Sequence, residues 1–300
     1  MSQSVNIACL QTRAFGKASD ALDHALELAT RAVANGAQLL VLPEYAGGLK
    51  TKGKFFAPPV YSEQEHPVLL GMQAFAKDNN VWIVLGSIAI EGTSTKFFNR
   101  TFVIDTAGVI QARYSKIHLF DIELSAKQSF RESEKVEPGN EAVVVDTPFG
   151  KLGLSICYDL RFPQLYRELA QAGAQILLVP AAFTKRTGEA HWHILNRARA
   201  IENGAYVIAA CAVGKVEGGG ESYGHSLIID PWGAVVAEGG IDPGVVQAVI
   251  DLEEVAKTRA KIPSLTHDKT YQLNVLNEHS GEQGSEQGSE QGSGPKESVA

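Results

Sequence analysis

Short apolar runs alternate with helical apolar stripes along the first part of the chain. The runs "VNIACLQ" at 5–11, "AQLLVLPE" at 37–44 and "VWIVLGSIAI" at 81–90 predict buried strands. Apolar residues recur at helical spacing over 20–35, where Asn35-Gly36 predicts the end of a helix, and a second helix is predicted over 67–79. Alternating strands and helices are typical of α/β domains.

The pattern changes after residue 98, where pairs of short runs predict hairpins. The pairs are 99–105 with 109–119, 141–146 with 151–157, and the two halves of 225–238. Helices are predicted at 162–174, 189–204 and 251–262, and strands at 175–180 and 205–214. Such a mixture predicts either one mixed sheet or two sheets packed face to face with helices outside. No linker interrupts 1–277, so we predict one domain there.

Composition separates the last residues from this domain. The chain has 300 residues, of which 44% are hydrophobic and 20% are charged, and these values exclude disorder throughout. Residues 278–300 repeat EQGS and lack the apolar surface that folding requires, so we expect a disordered tail. This tail accounts for more than half of the net charge of −7. The nearly neutral body has no basic stripe for nucleic acid, and a small-molecule partner is expected.

The N-terminus and the cysteines predict a cytoplasmic protein. "MSQSVNIACLQTRAF" lacks the basic start and long apolar region of a signal peptide, and no apolar run is long enough to span a membrane. Cys9, Cys157 and Cys211 are widely spaced, so we expect three free thiols, with neither a disulfide framework nor a cysteine zinc site.

Three chemically useful residues each follow a predicted strand. Cys157 ends "GLSIC" before a helix, Glu44 ends "VLPE", and Lys116 lies in "RYSKIHL". Each has an ordinary explanation, since a free cysteine is usually a small buried hydrophobe and a charge after a strand is usually a solvated loop. However, ligands gather at the carboxyl ends of strands, and a helix N-terminus favours a thiolate. A thiolate at Cys157, with a base and a cation nearby, predicts attack on a carbonyl carbon.

With their flanking motifs, these residues resemble the nitrilase superfamily of carbon-nitrogen hydrolases. The motifs are "LPE", "YSKIHLFD" and "GLSICYDLRFP", and the resemblance extends through "PAAFTKRTGEAHWHILNRARAIENGAYVIAA" and "SYGHSLIIDPWG". It implies a four-layer α/β/β/α sandwich. The branch resembled contains omega-amidase and deaminated glutathione amidase, and "RES" and "RARAIE" favour the latter. The loop over 45–63 departs from the family pattern.

The resemblance also implies roles for individual residues. Cys157 would be the nucleophile, Glu44 the general base, and Lys116 the cation that stabilises the oxyanion with the backbone N–H of Tyr158. Glu132, in "FRESEKVEPG", would be the second glutamate that holds Lys116 and the substrate amide. A thioester would form with release of ammonia and then be hydrolysed, without a cofactor or metal.

Pocket residues and assembly are implied in the same way. Phe183 and Thr184 would line the pocket, and Arg186 or Lys185 would bind a substrate carboxylate. A homodimer or larger homo-oligomer is expected.

Several alternatives stay open at this point. The substrate could be that of an omega-amidase or an aliphatic nitrilase, or the fold could bind ligands without turnover. A Cys/His glutaminase would require a late histidine, and His225 has the only plausible setting. "GESYG" at 220–224 matches a serine nucleophile elbow but lacks the strand before it and the helix after it. His191 and His193 are spaced wrongly for two metal ligands on one helix face, and the apolar surroundings of Cys211 predict a core residue.

Overall fold

A computed structural model of the protein describes residues 4–53, 55–125 and 128–275. The strands in these ranges are β1 (Ser4–Gln11), β2 (Leu39–Val41), β3 (Thr51–Lys52), β4 (Phe55–Phe56), β5 (Trp82–Glu91), β6 (Phe97–Ile104), β7 (Ile110–Ser115), β8 (Asp121–Ser125), β9 (Gln128–Arg131), β10 (Val136–Glu137), β11 (Val144–Thr147), β12 (Gly150–Gly153), β13 (Ile176–Leu178), β14 (Tyr206–Ala209), β15 (Val213–Lys215), β16 (Glu221–Tyr223), β17 (Leu227–Ile229), β18 (Val235–Glu238) and β19 (Gly244–Asp251). The helices are α1 (Ala18–Ala34), α2 (Pro67–Asn79), α3 (Pro163–Gln171), α4 (Lys185–Asn203) and α5 (Glu253–Lys261), with 3₁₀ turns at Glu132–Glu134, Cys157–Arg161 and Ser264–Thr266.

Two mixed sheets form the centre of the described structure. In the first, strand order is β10-β6-β5-β2-β1-β19, with β7 added beside β6. Its middle strands β1, β2 and β5 run parallel. Strand β19 is antiparallel to β1, and β6 is antiparallel to β5 and β7 but parallel to the short edge strand β10. The second sheet has the order β11-β12-β13-β14-β17-β18, with β12, β13 and β14 parallel. The predicted mixture of parallel strands and hairpins is confirmed.

The side chains of β1 show how the layers pack. Ile7 and Cys9 belong to the core shared with the second sheet, whereas Ala8 and Leu10 pack in the core beneath α1 and α2. Both faces of the strand are therefore buried, which explains its continuous apolar sequence. Since α3 and α4 contact the strands of the second sheet, the layers are helix, sheet, sheet and helix. The four-layer α/β/β/α fold is confirmed.

Several predicted boundaries differ from the structure. Helix α4 begins at Lys185 rather than 189, so Lys185 and Arg186 lie in its first turn. The single strand predicted over 205–214 divides into β14 and β15, because Ala210 and Cys211 leave the second sheet before β15 pairs with β16. Strand β12 ends at Gly153, and the chain reaches Cys157 as extended backbone outside the ladder.

The predicted division into a domain at 1–277 and a tail at 278–300 stays a prediction. Residues up to His267 form one compact unit, and Asp268 begins a second unit. The predicted EQGS tail at 278–300 lies outside the described residues. Among the helices that the structure describes, none is both long and apolar enough to cross a bilayer.

Candidate active site

Cys157 occupies a tight turn between β12 and α3. Its backbone has a positive φ of 48°, which is uncommon for a residue other than glycine. The turn is fixed because the Cys157 N–H donates to the Pro180 carbonyl at 2.9 Å and the Ile156 N–H donates to the Asp159 carboxylate at 2.8 Å. This conformation holds the Cys157 thiol at the base of a pocket, where it is 7% exposed.

Asp159 also joins this turn to the segment that carries the lysine. Its carboxylate accepts a hydrogen bond from the Tyr114 hydroxyl at 2.7 Å and another from the His118 N–H at 3.0 Å. Tyr114 and His118 flank Lys116 on either side. The fully buried carboxylate of Asp159 therefore sets the position of both segments relative to each other.

Glu44 lies in a turn that β5 supports closely. The Tyr45 N–H donates to Ser87 Oγ at 2.9 Å, and the Ser87 N–H donates to the Pro43 carbonyl at 3.2 Å. Gly86 permits this approach, since a Cβ added there would lie 1.9 Å from the Leu42 carbonyl oxygen. The Glu44 side chain is 4% exposed, and its Oε2 accepts a hydrogen bond from the Ala182 N–H at 2.8 Å.

Lys116 lies between two carboxylates. Its Nζ is 2.8 Å from Glu44 Oε1 and 2.9 Å from Glu132 Oε2, and its side chain is 1% exposed. The lysine directly follows β7, and its N–H donates to the Asn99 carbonyl of β6 at 2.9 Å. The pairing of β7 with β6 therefore places the Lys116 ammonium beside the two carboxylates.

Glu132 is buried although the sequence around it is polar. Its carboxylate accepts hydrogen bonds from the Phe120 N–H at 2.6 Å and from the Tyr45 hydroxyl at 3.1 Å, in addition to those from Lys116. The 3₁₀ turn at Glu132–Glu134 directs this side chain inward. All four sequence-predicted polar residues thus meet in one site.

A narrow pocket opens above these groups. Its lining comprises Glu44, Phe56, Lys116, Phe120, Cys157, Tyr158, Ala182, Phe183, Thr184 and Thr187. The predicted residues Tyr158, Phe183 and Thr184 therefore lie at the pocket. Arg186 and Lys185 do not line it, and instead border an adjoining groove that shares Thr184 with the pocket.

Comparison with known proteins identifies the family of this chain. The carbon-nitrogen hydrolase family model matches residues 6–260. The chain belongs to the carbon-nitrogen hydrolase family. It is 43% identical to the deaminated glutathione amidase of Dictyostelium discoideum over 253 residues, which cover 81% of this chain and 86% of the relative. It is 40% identical to omega-amidase NIT2-B of Xenopus laevis over 248 residues, covering 82% and 88% respectively.

Two solved structures resemble the fold of this chain. The NitFhit protein of C. elegans superposes with a TM-score of 0.81 and 36% identity, covering 89% of this chain and 65% of that longer chain. A variant of the amidase from Nesterenkonia sp. AN1 has a TM-score of 0.69 and 27% identity, covering 86% and 98%. That structure shows acrylamide added at the active-site cysteine of the amidase. The protein is a carbon-nitrogen hydrolase of the amidase type.

The electrostatics of the hydrolase site differ from the sequence-based expectation of a thiolate. Burial, followed by the negative charge of Glu44, raises the pKa of Cys157 well above its ordinary value, and Lys116 opposes this only in part. Burial therefore favours the neutral thiol in the resting enzyme, whereas the helix N-terminus predicted from sequence favours a thiolate. The 3₁₀ turn that begins at Cys157 is only five residues long.

The two neighbouring carboxylates favour the charged form of Lys116. Burial opposes its charged form, but the carboxylates of Glu132 and Glu44 together hold the pKa of Lys116 well above its ordinary value. The raised pKa values of both groups favour a neutral thiol at Cys157 beside a charged ammonium at Lys116.

Two residues of this hydrolase site were missed by sequence reasoning. Asn99, which is fully buried, donates to Glu44 Oε1 at 2.9 Å and approaches Glu132 Oε1 at 3.4 Å. Tyr45 follows Glu44 with a φ of 54° and reaches Glu132 through its hydroxyl. A signal for Asn99 existed, because it lies at an inward position of the apolar strand β6 where a polar side chain requires a partner.

The remaining candidates lie apart from the catalytic pocket. Cys211 is fully buried, and burial raises its pKa to about 12, in agreement with a core residue. Ser222 of "GESYG" is a buried residue within β16, so the serine elbow is absent from this described segment. His191 contacts Arg161 at 3.2 Å, whereas His193 approaches Glu238.

Proposed function

We propose that the protein hydrolyses the amide of a small carboxylic acid through a thioester at Cys157, releasing ammonia. The observation that carries this proposal is that Cys157 lines the same pocket as Glu44 and Lys116, whose carboxylate and ammonium are 2.8 Å apart. A nucleophile, a base and a cation in one enclosed pocket satisfy the requirements of acyl transfer.

In the first half of the reaction, Sγ of Cys157 forms a bond to the amide carbon as Glu44 takes the thiol proton. The oxyanion that develops is stabilised by the Lys116 ammonium and by the backbone N–H of Tyr158. Collapse breaks the C–N bond, and Glu44 returns the proton to the departing amine so that ammonia leaves. Because the resting thiol is neutral, proton transfer accompanies attack.

In the second half, water enters the position that ammonia vacates. Glu44 takes a proton from this water, which attacks the thioester carbonyl, and the same cation and N–H stabilise the second oxyanion. Collapse breaks the C–S bond, releases the acid and returns the proton to Cys157. Glu132 positions Lys116 throughout, since both of its oxygens accept hydrogen bonds from Nζ at 2.9 and 3.2 Å.

The pocket and the relatives together favour a substrate with a short amide arm. The pocket is narrow, and Phe56, Phe120 and Phe183 give it apolar walls. We infer that Lys185 or Arg186, in the adjoining groove, binds a carboxylate at the other end of the substrate. Deaminated glutathione is the first candidate because that relative has the higher identity. The omega-amidase relative at 40% identity supports α-ketoglutaramate as the second.

Ammonia release by Cys157→Ala and Cys157→Ser enzymes tests the proposal. We expect both variants to release no ammonia from deaminated glutathione, α-ketoglutaramate or simple aliphatic amides, while the wild type releases it from at least one. Cys9→Ala is the matched control and keeps activity, because Cys9 is a buried core residue of β1 that does not line the pocket. Ammonia release by the Cys157→Ala enzyme would overturn the role of Cys157, and a wild type that binds amides without turnover would favour a binding protein.

We also propose that two copies associate through the outer face of α4. Ile194 and Ile201 on this helix are 69% and 53% exposed, and Trp232 is 58% exposed. Apolar side chains of this size on one face favour burial against a second copy. Light scattering after size exclusion should give a dimer or larger oligomer, and Ile194→Asp should yield monomer.

A cytoplasmic location also stays a prediction, which cell fractionation would test.

A further inference from the structure

A second cluster of chemically active side chains lies outside the catalytic pocket. His193 projects from α4, His225 lies in the loop between β16 and β17, and Glu238 ends β18. His193 Nε2 and His225 Nδ1 each lie 2.9 Å from the same oxygen of Glu238, Oε1. One potential ligand atom from each residue falls within 4.8 Å of the others.

The backbone around His225 holds its ring in place. His225 has a positive φ of 52°, which is uncommon for residues other than glycine. This conformation is fixed on both sides, because its N–H donates to the Gly240 carbonyl at 3.0 Å and its carbonyl accepts from Trp192 Nε1 at 2.7 Å. The Tyr223 ring stacks on the imidazole at a centroid distance of 4.4 Å. The imidazole is therefore preorganised rather than a freely rotating surface side chain.

We propose that His193, His225 and Glu238 form a site for zinc or a similar borderline divalent ion. Two imidazoles and one carboxylate are a donor set that suits Zn²⁺. Tetrahedral ligands bonded at about 2.0–2.1 Å lie about 3.4 Å from one another, so the two nitrogens need to withdraw from Glu238 only slightly. A carboxylate hydrogen-bonded to two imidazoles without metal is the competing explanation.

The exposure of the three residues indicates the kind of site. Their side chains are 32%, 23% and 40% exposed, so water would complete the coordination of the ion. The three residues come from α4 and from the two ends of the β17–β18 hairpin, so coordination of one ion would cross-link these elements. It uses no residue of the catalytic pocket, so this inference stands independently of the proposed function.

Zinc titration of the full chain in the Cys157→Ala background tests the site, because this background removes the catalytic thiol as a competing ligand. Calorimetry should give one high-affinity zinc per chain, and zinc should raise the unfolding temperature. His193→Ala, His225→Ala and Glu238→Gln should each weaken binding by at least about tenfold, since each removes one of three ligands. Cobalt(II) should give a visible absorption band that Glu238→Gln removes.

His191→Ala is the matched control, because His191 lies on the same helix but outside the cluster. It should bind zinc as tightly as its parent. The proposal is overturned if the parent binds no zinc at millimolar concentration, or if His191→Ala weakens binding as much as Glu238→Gln. Circular dichroism of Glu238→Gln, the isosteric variant, separates loss of a ligand from loss of folding.

Discussion

Replacing Glu132 by glutamine removes one charge from the buried triad of Glu44, Lys116 and Glu132 with little change in shape. In the wild type, N–H and O–H donors surround both oxygens of the Glu132 carboxylate. Glutamine has only one acceptor oxygen, so at least one of these donors would face its NH₂ group instead. At 2.9 Å, one ion pair contributes about 6 kcal/mol of attraction for an effective dielectric constant of about 20. Part of this is offset by desolvation, and removing one partner of a buried pair costs about 3–5 kcal/mol.

That cost should appear as lower thermal stability. We expect kcat/KM of the Glu132→Gln enzyme to fall by about 10²- to 10³-fold, which is typical when support for an oxyanion-stabilising group is lost. The alkaline limit of activity should also move to lower pH. Glu132 raises the pKa of Lys116, so its removal lets the ammonium lose its proton at lower pH.

Continuous ammonia assays across a pH range, with thermal unfolding measured in parallel, would test both effects. Glu134→Gln, which alters an exposed glutamate in the same turn, is the control and should retain activity within about twofold. If Glu132→Gln kept kcat/KM within threefold of the wild type and an unchanged pH profile, the role of Glu132 in holding Lys116 would be refuted.

Two further experiments probe the nucleophile and the turn that carries Glu44. The absorbance difference at 240 nm between wild type and Cys157→Ser should show no thiolate up to pH 9.0, because burial and Glu44 raise the Cys157 pKa well above that value. Glu44→Gln should bring the thiolate to lower pH, and a wild-type thiolate at neutral pH would contradict this account. Gly86→Ala should lower stability by at least about 1–3 kcal/mol in denaturant unfolding, because its Cβ would meet the Leu42 carbonyl, whereas Gly244→Ala, with no neighbour within 4 Å, should not. Equal stabilities of these two variants would disprove the close approach.

The sequence was sufficient for the layers and for three of the site residues. Glu44, Lys116 and Cys157 each follow an apolar run. Glu44 and Cys157 come after parallel strands of the two sheets, whose carboxyl ends favour ligand sites, whereas Lys116 follows the antiparallel strand β7. The α/β/β/α arrangement followed from the family resemblance, since alternating strands and hairpins alone allowed one mixed sheet as well as two.

Other features depend on tertiary contacts that no local pattern specifies. Glu132 lies in a polar stretch typical of a surface, and only the fold brings Lys116 and the Phe120 N–H around its carboxylate. The local sequence indicated a helix N-terminus at Cys157, which favours a thiolate, but could not show the burial beside Glu44 that raises the pKa of the thiol. The early start of α4 was missed for a similar reason, because "TKRTG" has weak helical periodicity and the turn is held by Thr184 and Thr187.

The covalent intermediate offers the most direct test of the central chemistry. Wild-type enzyme mixed with an amide that it hydrolyses, then quenched in acid within milliseconds and measured as intact protein, should gain the mass of the acyl group. Proteolysis should locate that mass on the peptide containing Cys157, and the Cys157→Ser enzyme should show no thioester. Turnover accompanied by an acyl group on any other residue, or by no acyl-enzyme under conditions in which hydrolysis of the adduct limits the rate, would contradict the account.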